Sequence, residues 1–292
     1  MNSNGSVDAL KRRRPEWSPW LAVVDEVLRE AATSRWDAAV PAVQRPEDPS
    51  LPLLSGRSIT VDPAAVDRLL VRLTRIAACG GSPKMATLRA ASTGGADAAA
   101  ILTDSICQDT GRISRIAAAS GADADAFQAV VALVAVPLLH ACNRRWASSI
   151  AGSWVHGYCP VCGSWPAFAE MRGIERSRYL RCGRCGGEWH AQILHCAYCG
   201  TRDHDEIITL VPEKPGLSGI VEACTRCRGY VKAFTTLQGC PPATVMLVDL
   251  GSIDLDVAAL EQGFTRPPGA GRTIEVTVDA PAAPRSFFAW NA

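Results

Sequence analysis

Net charge is almost absent from this sequence: 30 Lys and Arg stand against 29 Asp and Glu, a formal +1 over 292 residues. A chain so balanced has no field to draw it onto nucleic acid or an anionic membrane. Apolar runs long enough to span a bilayer are missing too, so no membrane insertion is expected. The basic run Lys11-Arg12-Arg13-Arg14 looks like the start of a secretory leader. Asp25, Glu26, Arg29 and Glu30 interrupt the apolar stretch that a leader needs, and the expectation is an unexported, cytoplasmic protein. Also lacking are a nucleophile with its base, a phosphate loop and a paired acid and base, so the chain does not read as an enzyme.

What the sequence does have is cysteine. Eight of the twelve fall in four Cys-x-x-Cys pairs: Cys159/Cys162, Cys182/Cys185, Cys196/Cys199 and Cys224/Cys227. Structural disulfides rarely join cysteines two residues apart, whereas a tight turn of this spacing aims two thiolates and nearby N–H groups at one metal ion. The gaps within successive couples of pairs are 19 and 24 residues, right for a ribbon or rubredoxin-like unit of knuckle, hairpin, knuckle and closing strand. Sequential pairing gives two four-cysteine sites; a cross-brace, or an outer couple enclosing an inner one, stays open on spacing alone. Gly163 and Gly200 follow knuckles and permit the positive φ such turns need. Units so small lack a sufficient core, so the metal must supply folding free energy. Zinc and iron both accept four thiolates in a tetrahedron. Four cysteines leave no open coordination position for hydrolysis. A thioredoxin-like redox role fits poorly, because that motif occurs once, at the start of a helix.

The expected fold class is α+β, an N-terminal all-helical domain followed by two small rubredoxin-like or zinc-ribbon modules. Residues 1–16 read as a disordered start with a solvated basic run, and 17–151 as the helical domain. Asp62-Pro63 starts a helix by capping, running to the Gly80-Gly81 stop. A further helix follows the Gly94-Gly95 pair. The longest, from Asp123 to about Ser149, is apolar almost all round and carries Pro137, which should kink or split it. Residues 152–193 form the first four-cysteine module and 194–240 the second, with strands expected at 178–181, 188–193, 206–211, 219–222 and 230–235. Residues 241–266 give a C-terminal strand (245–250) and a helix (255–262), and 267–292 a loose tail.

Other side chains have plainer readings. His190 and His195 flank the knuckles but are spectators where four cysteines already fill a site. Cys79, Cys107, Cys142 and Cys240 read as small buried thiols and His140 as a core histidine. Trp189, His190 and Tyr198 lie near the junction of the modules; Trp189 either covers the first site or anchors a partner, and Tyr198, inside a knuckle, should point outward as an anchor. Residues 159–240 hold ten basic and eight acidic side chains, and each divalent ion on four thiolates adds two negative charges. The filled module is then −2 (or neutral with ferric ions), which offers nucleic acid nothing.

The residues around the knuckles resemble the formate dehydrogenase accessory proteins known as FdhE. The resemblance lies in Gly157-Tyr158-Cys159-Pro160-Val161-Cys162-Gly163-Ser164 with Pro166, in Arg178-Tyr179-Leu180-Arg181-Cys182 with Cys185, and in Glu188-Trp189-His190. It continues in Glu222, Cys224, Cys227 and Tyr230-Val231-Lys232, and outside the module in Leu51-Pro52-Leu53-Leu54 before Val61-Asp62 and in Leu255-Asp256 through Glu261-Gln262-Gly263-Phe264-Thr265-Arg266. Residues 17–50 are weakly similar, and the family's doubled acidic residue before its C-terminal helix is only Asp249 here. The resemblance implies a non-catalytic, cytoplasmic helper that binds the catalytic subunit of formate dehydrogenase, with a helical part and two rubredoxin-like parts. It favours iron, although zinc can fill such sites; homo-oligomerisation stays open. The competing readings are a zinc-ribbon nucleic-acid binder and a rubredoxin-like electron carrier.

Overall fold

The computed structural model describes residues 6–80, 82–89, 97–211 and 219–281. Its first elements correct the expected disordered start. Ser6 caps α1 (Val7–Arg13) by accepting from the Ala9 N–H. Val7 and Leu10 share one face three residues apart, and the buried Leu10 packs with Leu21, Val24 and Leu247. The basic run is not a free tail: Arg13 donates to the Gly251 carbonyl at 2.9 Å and Arg14 pairs with Asp254 at 2.8 Å.

The helices α2 (Ser18–Ala31), α3 (Pro63–Ala78), α4 (Pro83–Ala86), α5 (Ala98–Cys107), α6 (Thr110–Ser120), α7 (Ala124–Val134) and α8 (Val136–Trp146) build the helical half. Asp62 caps α3 as the Asp-Pro pair implies, accepting from Ala64 N–H at 3.0 Å. The expected stop at Gly80-Gly81 is half visible, since Gly81 lies outside the described residues, as do Gly94 and Gly95. Pro137 does split the long apolar helix: it sits in the first turn of α8, and Ala135 separates the two segments. Ser105 fills the break, accepting from Ala135 N–H at 3.1 Å and donating to the Val131 carbonyl at 2.6 Å. Taken together, 124–149 is long and apolar enough to cross a bilayer, contrary to expectation, yet 78% of its most apolar window is buried inside the protein.

Beyond this half lies a six-stranded sheet of order β4-β3-β2-β7-β6-β5, with β2 (Pro166–Arg172), β3 (Ser177–Cys182), β4 (Glu188–His190), β5 (Ile207–Leu210), β6 (Ile220–Cys224) and β7 (Tyr230–Thr236). Each module contributes three antiparallel strands, and the parallel pair β2–β7 joins them. The central strand β2 was not among the expected ones. Six of its seven residues are buried, so it shows no alternation. Buried polar pairs compensate: Arg181 donates to Glu170 at 3.0 Å within the sheet, and Arg178 reaches Glu222 across the modules at 2.7 Å.

Two further expectations are corrected. The stretch 245–250 is helix α9 (Val245–Gly251), followed by α10 (Ile253–Glu261). Val245 and Val248 face Phe234 and its neighbours, while Leu247 faces Leu10, and only a helix can bury both sets. The tail is tied down as far as β8 (Val276–Asp279), which pairs in parallel with β1 (Arg57–Thr60) and buries Ile274 and Val276; residues 282–292 lie outside the described residues.

Candidate metal centres

Four knuckles repeat one local geometry. In the first, Gly163 N–H donates to the Cys159 carbonyl and Cys159 N–H to Ser164; the second and third repeat this through Cys182/Gly186/Gly187 and Cys196/Gly200/Thr201. The turn requires positive φ after the second cysteine, and Gly163, Gly186 and Gly200 take +74°, +71° and +72°. The fourth knuckle places Arg228 there, at +59°. Its side chain holds the strained residue in place: the guanidinium stacks 4.0 Å over Phe264 and donates to the Gln262 and Gly263 carbonyls. The knuckle thereby pins the end of α10.

The knuckles converge sequentially. Cys159, Cys162, Cys182 and Cys185 form one cluster and Cys196, Cys199, Cys224 and Cys227 the other, each with all four sulfurs within 4.8 Å of one another. Sulfur–sulfur distances are 3.5 Å for Cys159–Cys185 and Cys162–Cys182, 3.6 Å for Cys196–Cys227 and 3.8 Å for Cys199–Cys224. A tetrahedral ion with metal–sulfur bonds of about 2.3 Å has edges of about 3.8 Å, so both clusters fit one ion each. N–H groups of Val161, Cys185 and Gly187 point at sulfurs of the first cluster, as thiolates would require. Burial pushes the Cys159 thiol well above its ordinary value, so a thiolate there needs a cation beside it.

The two clusters differ in their surroundings. The first belongs to the main hydrophobic core, and its four cysteines are sealed from solvent. Leu53 and Leu54 N–H groups donate to the Pro160 and Val161 carbonyls, Arg272 N–H donates to the Gly163 carbonyl, and Arg184, inside the second knuckle, donates to Ser105 and Ile106 at the end of α5. In the second cluster Cys196 and Cys224 are buried while Cys199 and Cys227 are exposed.

Neither cluster includes a histidine. His190 is exposed, and His195 is half-buried beside Gly200. His140 is buried in α8, and desolvation pushes its pKa down to about 4. Of the single cysteines only Cys142 is fully buried, its thiol pushed up to about 12; Cys107 and Cys240 are half-buried and Cys79 is exposed, against expectation. Trp189 is buried and donates to the His156 carbonyl at 3.1 Å. Tyr198 does not point outward. Its hydroxyl donates to the Tyr230 carbonyl at 2.8 Å, and its ring meets Trp165 edge-on at 5.0 Å, because the knuckle folds back over Gly229. It braces the module and is no free anchor.

Sequence reasoning missed a buried ion cluster. Lys232, fully buried, lies 2.7 Å from Asp249 and 2.8 Å from Asp256, and Arg266 bonds both carboxylates at 2.8 Å. Tyr230 donates to Asp256 at 2.7 Å. The signal was Tyr230-Val231-Lys232, whose alternate residues lie on one face of a strand.

The model of the FdhE central domain matches residues 158–192. A protein FdhE homolog of Aquifex aeolicus is 32% identical over 116 residues, covering 39% of this chain and 40% of that relative. A homolog from Stutzerimonas stutzeri is 32% identical and protein FdhE of Escherichia coli 31%, each over 111 residues, or 37% of this chain and 35% of theirs. The matched stretch therefore spans well under half the length of these relatives. The crystal structure of the FdhE protein from Pseudomonas aeruginosa shares the fold, with a TM-score of 0.52 at 20% identity over 92% of this chain and 96% of that one.

Proposed function

With the FdhE family supported by the central-domain model, the curated relatives and the shared fold, we propose that this chain is a non-catalytic assembly factor for formate dehydrogenase that binds its catalytic subunit in the cytoplasm. Cys159, Cys162, Cys182 and Cys185 hold one iron or zinc ion, and Cys196, Cys199, Cys224 and Cys227 hold a second. An ion bound by four thiolates supplies folding free energy and no open position for a substrate. The observation that carries this reading is the convergence of both sulfur sets to tetrahedral spacing on a sheet shared by the two modules. The centres shape a surface, and the protein acts by binding. The test is co-purification with the catalytic subunit: a fully metallated protein that captures none of it sinks the reading.

One observation favours a second reading. Cys199 and Cys227 bring the second centre to the surface, where an iron ion could exchange electrons as in an electron carrier. Reversible bleaching of a visible iron–thiolate band, with no capture of the catalytic subunit, would decide for that alternative.

A further inference from the structure

Strand β4 is an outer strand of the sheet, pairing only with β3. Ala191 N–H donates to the Arg178 carbonyl, Cys182 N–H donates to the Gly187 carbonyl, and Trp189 lies opposite Leu180. In an antiparallel ladder the hydrogen-bonded pairs alternate, so the N–H and C=O groups of Glu188 and His190 point away from β3. Both residues are exposed, and among the described residues no loop or side-chain hydrogen bond reaches these four groups.

A cleft of about 510 Å³ runs beside this edge. It touches every residue from Gly186 to His190. Glu188, Trp189 and His190 all line it although successive strand residues face opposite ways, so the cleft reaches the edge itself, and Tyr179 of β3, opposite His190, lines it as well. The far wall comes from the end of α8 and the link behind it, with Asn143, Ile150 and Trp154. Asn143 on this wall is 6% exposed, and among the described residues its buried Oδ1 has no donor. Just past β4, Ile193 and Leu194 stand 53% and 51% exposed.

We propose that the β4 edge and its cleft bind an extended segment of a partner polypeptide, which adds a strand against Glu188 and His190. An apolar side chain of that segment enters the cleft between Trp154 and Ile150. A free strand edge takes backbone of any sequence, and the adjoining cleft selects the side chain. A second copy of this chain is the poorer occupant. A two-fold pairing would join only two three-residue edges, a short contact beside the roughly 1,000 Å² that a specific interface buries. The site deepens the proposed function and rests on it for the partner, the catalytic subunit of formate dehydrogenase.

The test uses the full-length metallated protein and the purified catalytic subunit. His190→Pro removes one outward N–H and no bond to β3, a substitution edge strands tolerate. His190→Ala keeps that N–H. His190→Pro should weaken binding at least about tenfold and His190→Ala by less than about threefold. Amide exchange in the wild-type complex, which needs no variant, should show protection at Glu188 and His190. Equal binding by a folded His190→Pro protein, or no protection at those amides, overturns the site while leaving the assembly role intact. A concentration-dependent dimer broken by His190→Pro makes the occupant a second copy, which also overturns it. No binding by the wild type sinks the assembly role and this site together.

Discussion

Replacing Lys232 by Met should loosen the C-terminal helices from the sheet. Met matches the lysine stem in shape and apolarity but removes a fully buried ammonium. Asp249 and Asp256 then face each other with Arg266 alone between them. Removing one partner of a buried ion pair costs about 3–5 kcal/mol, and the surviving Arg266, 30% exposed, argues for the lower end, about 3 kcal/mol. For a chain of this size that lowers Tm by about 5 °C. The pH dependence has a definite sign. Lys232 and Arg266 outweigh desolvation and hold the Asp249 carboxyl below its ordinary value. A depressed acid stabilises the fold above its unfolded pKa, about 3.9, and loses that contribution as pH falls through its folded value. The gap between wild type and variant should thus be full at neutral pH and close below about pH 4. Calorimetry across that range, with amide exchange over 245–261, reads both effects. Adding Asp256→Asn should restore part of the loss by removing one orphaned charge. An unchanged Tm at pH 7, or a gap that widens in acid, would refute the account of this cluster.

Three other outcomes follow from the two centres. A strong chelator or an alkylating reagent should remove metal in two phases, with Cys199 and Cys227 modified before any cysteine of the sealed first site; one uniform phase would contradict the burial difference. Gly157→Ala should destabilise the module by about 2 kcal/mol or more in urea titration, because the new Cβ would sit 1.7 Å from the Ala197 carbonyl oxygen in the third knuckle. Replacing Cys79, Cys107, Cys142 and Cys240 together by Ser should leave metal content unchanged, while the buried Cys142 position alone costs about 1–2 kcal/mol for its hydroxyl; loss of an ion would mean the ligand sets are wrong.

The sequence showed most clearly what depends on local spacing. Cys-x-x-Cys fixes a turn whatever surrounds it, and Asp62-Pro63 caps a helix by chemistry that needs no tertiary partner. What it hid depends on contacts distant in the chain. Strand β2 is masked because neighbours cover both its faces, and 245–250 looks like a strand until Leu10, more than 200 residues away, supplies its second buried face. Tyr198 misled for a related reason. Knuckle position suggests an outward ring, but Gly229 leaves the space into which it folds. Arg228 hid the fourth knuckle's positive φ, since the glycine that marks the other three is absent.

The central claim is that each four-cysteine cluster holds one ion on which the sheet module depends. Elemental analysis of protein purified without oxygen, alongside Cys159→Ser/Cys162→Ser and Cys224→Ser/Cys227→Ser variants, tests it most directly. The account predicts two ions of iron or zinc per chain in the wild type and one in each variant, with protease sensitivity gained in the affected knuckles and not in α2–α8. Fewer than two ions in intact protein, or two retained by either variant, would contradict it.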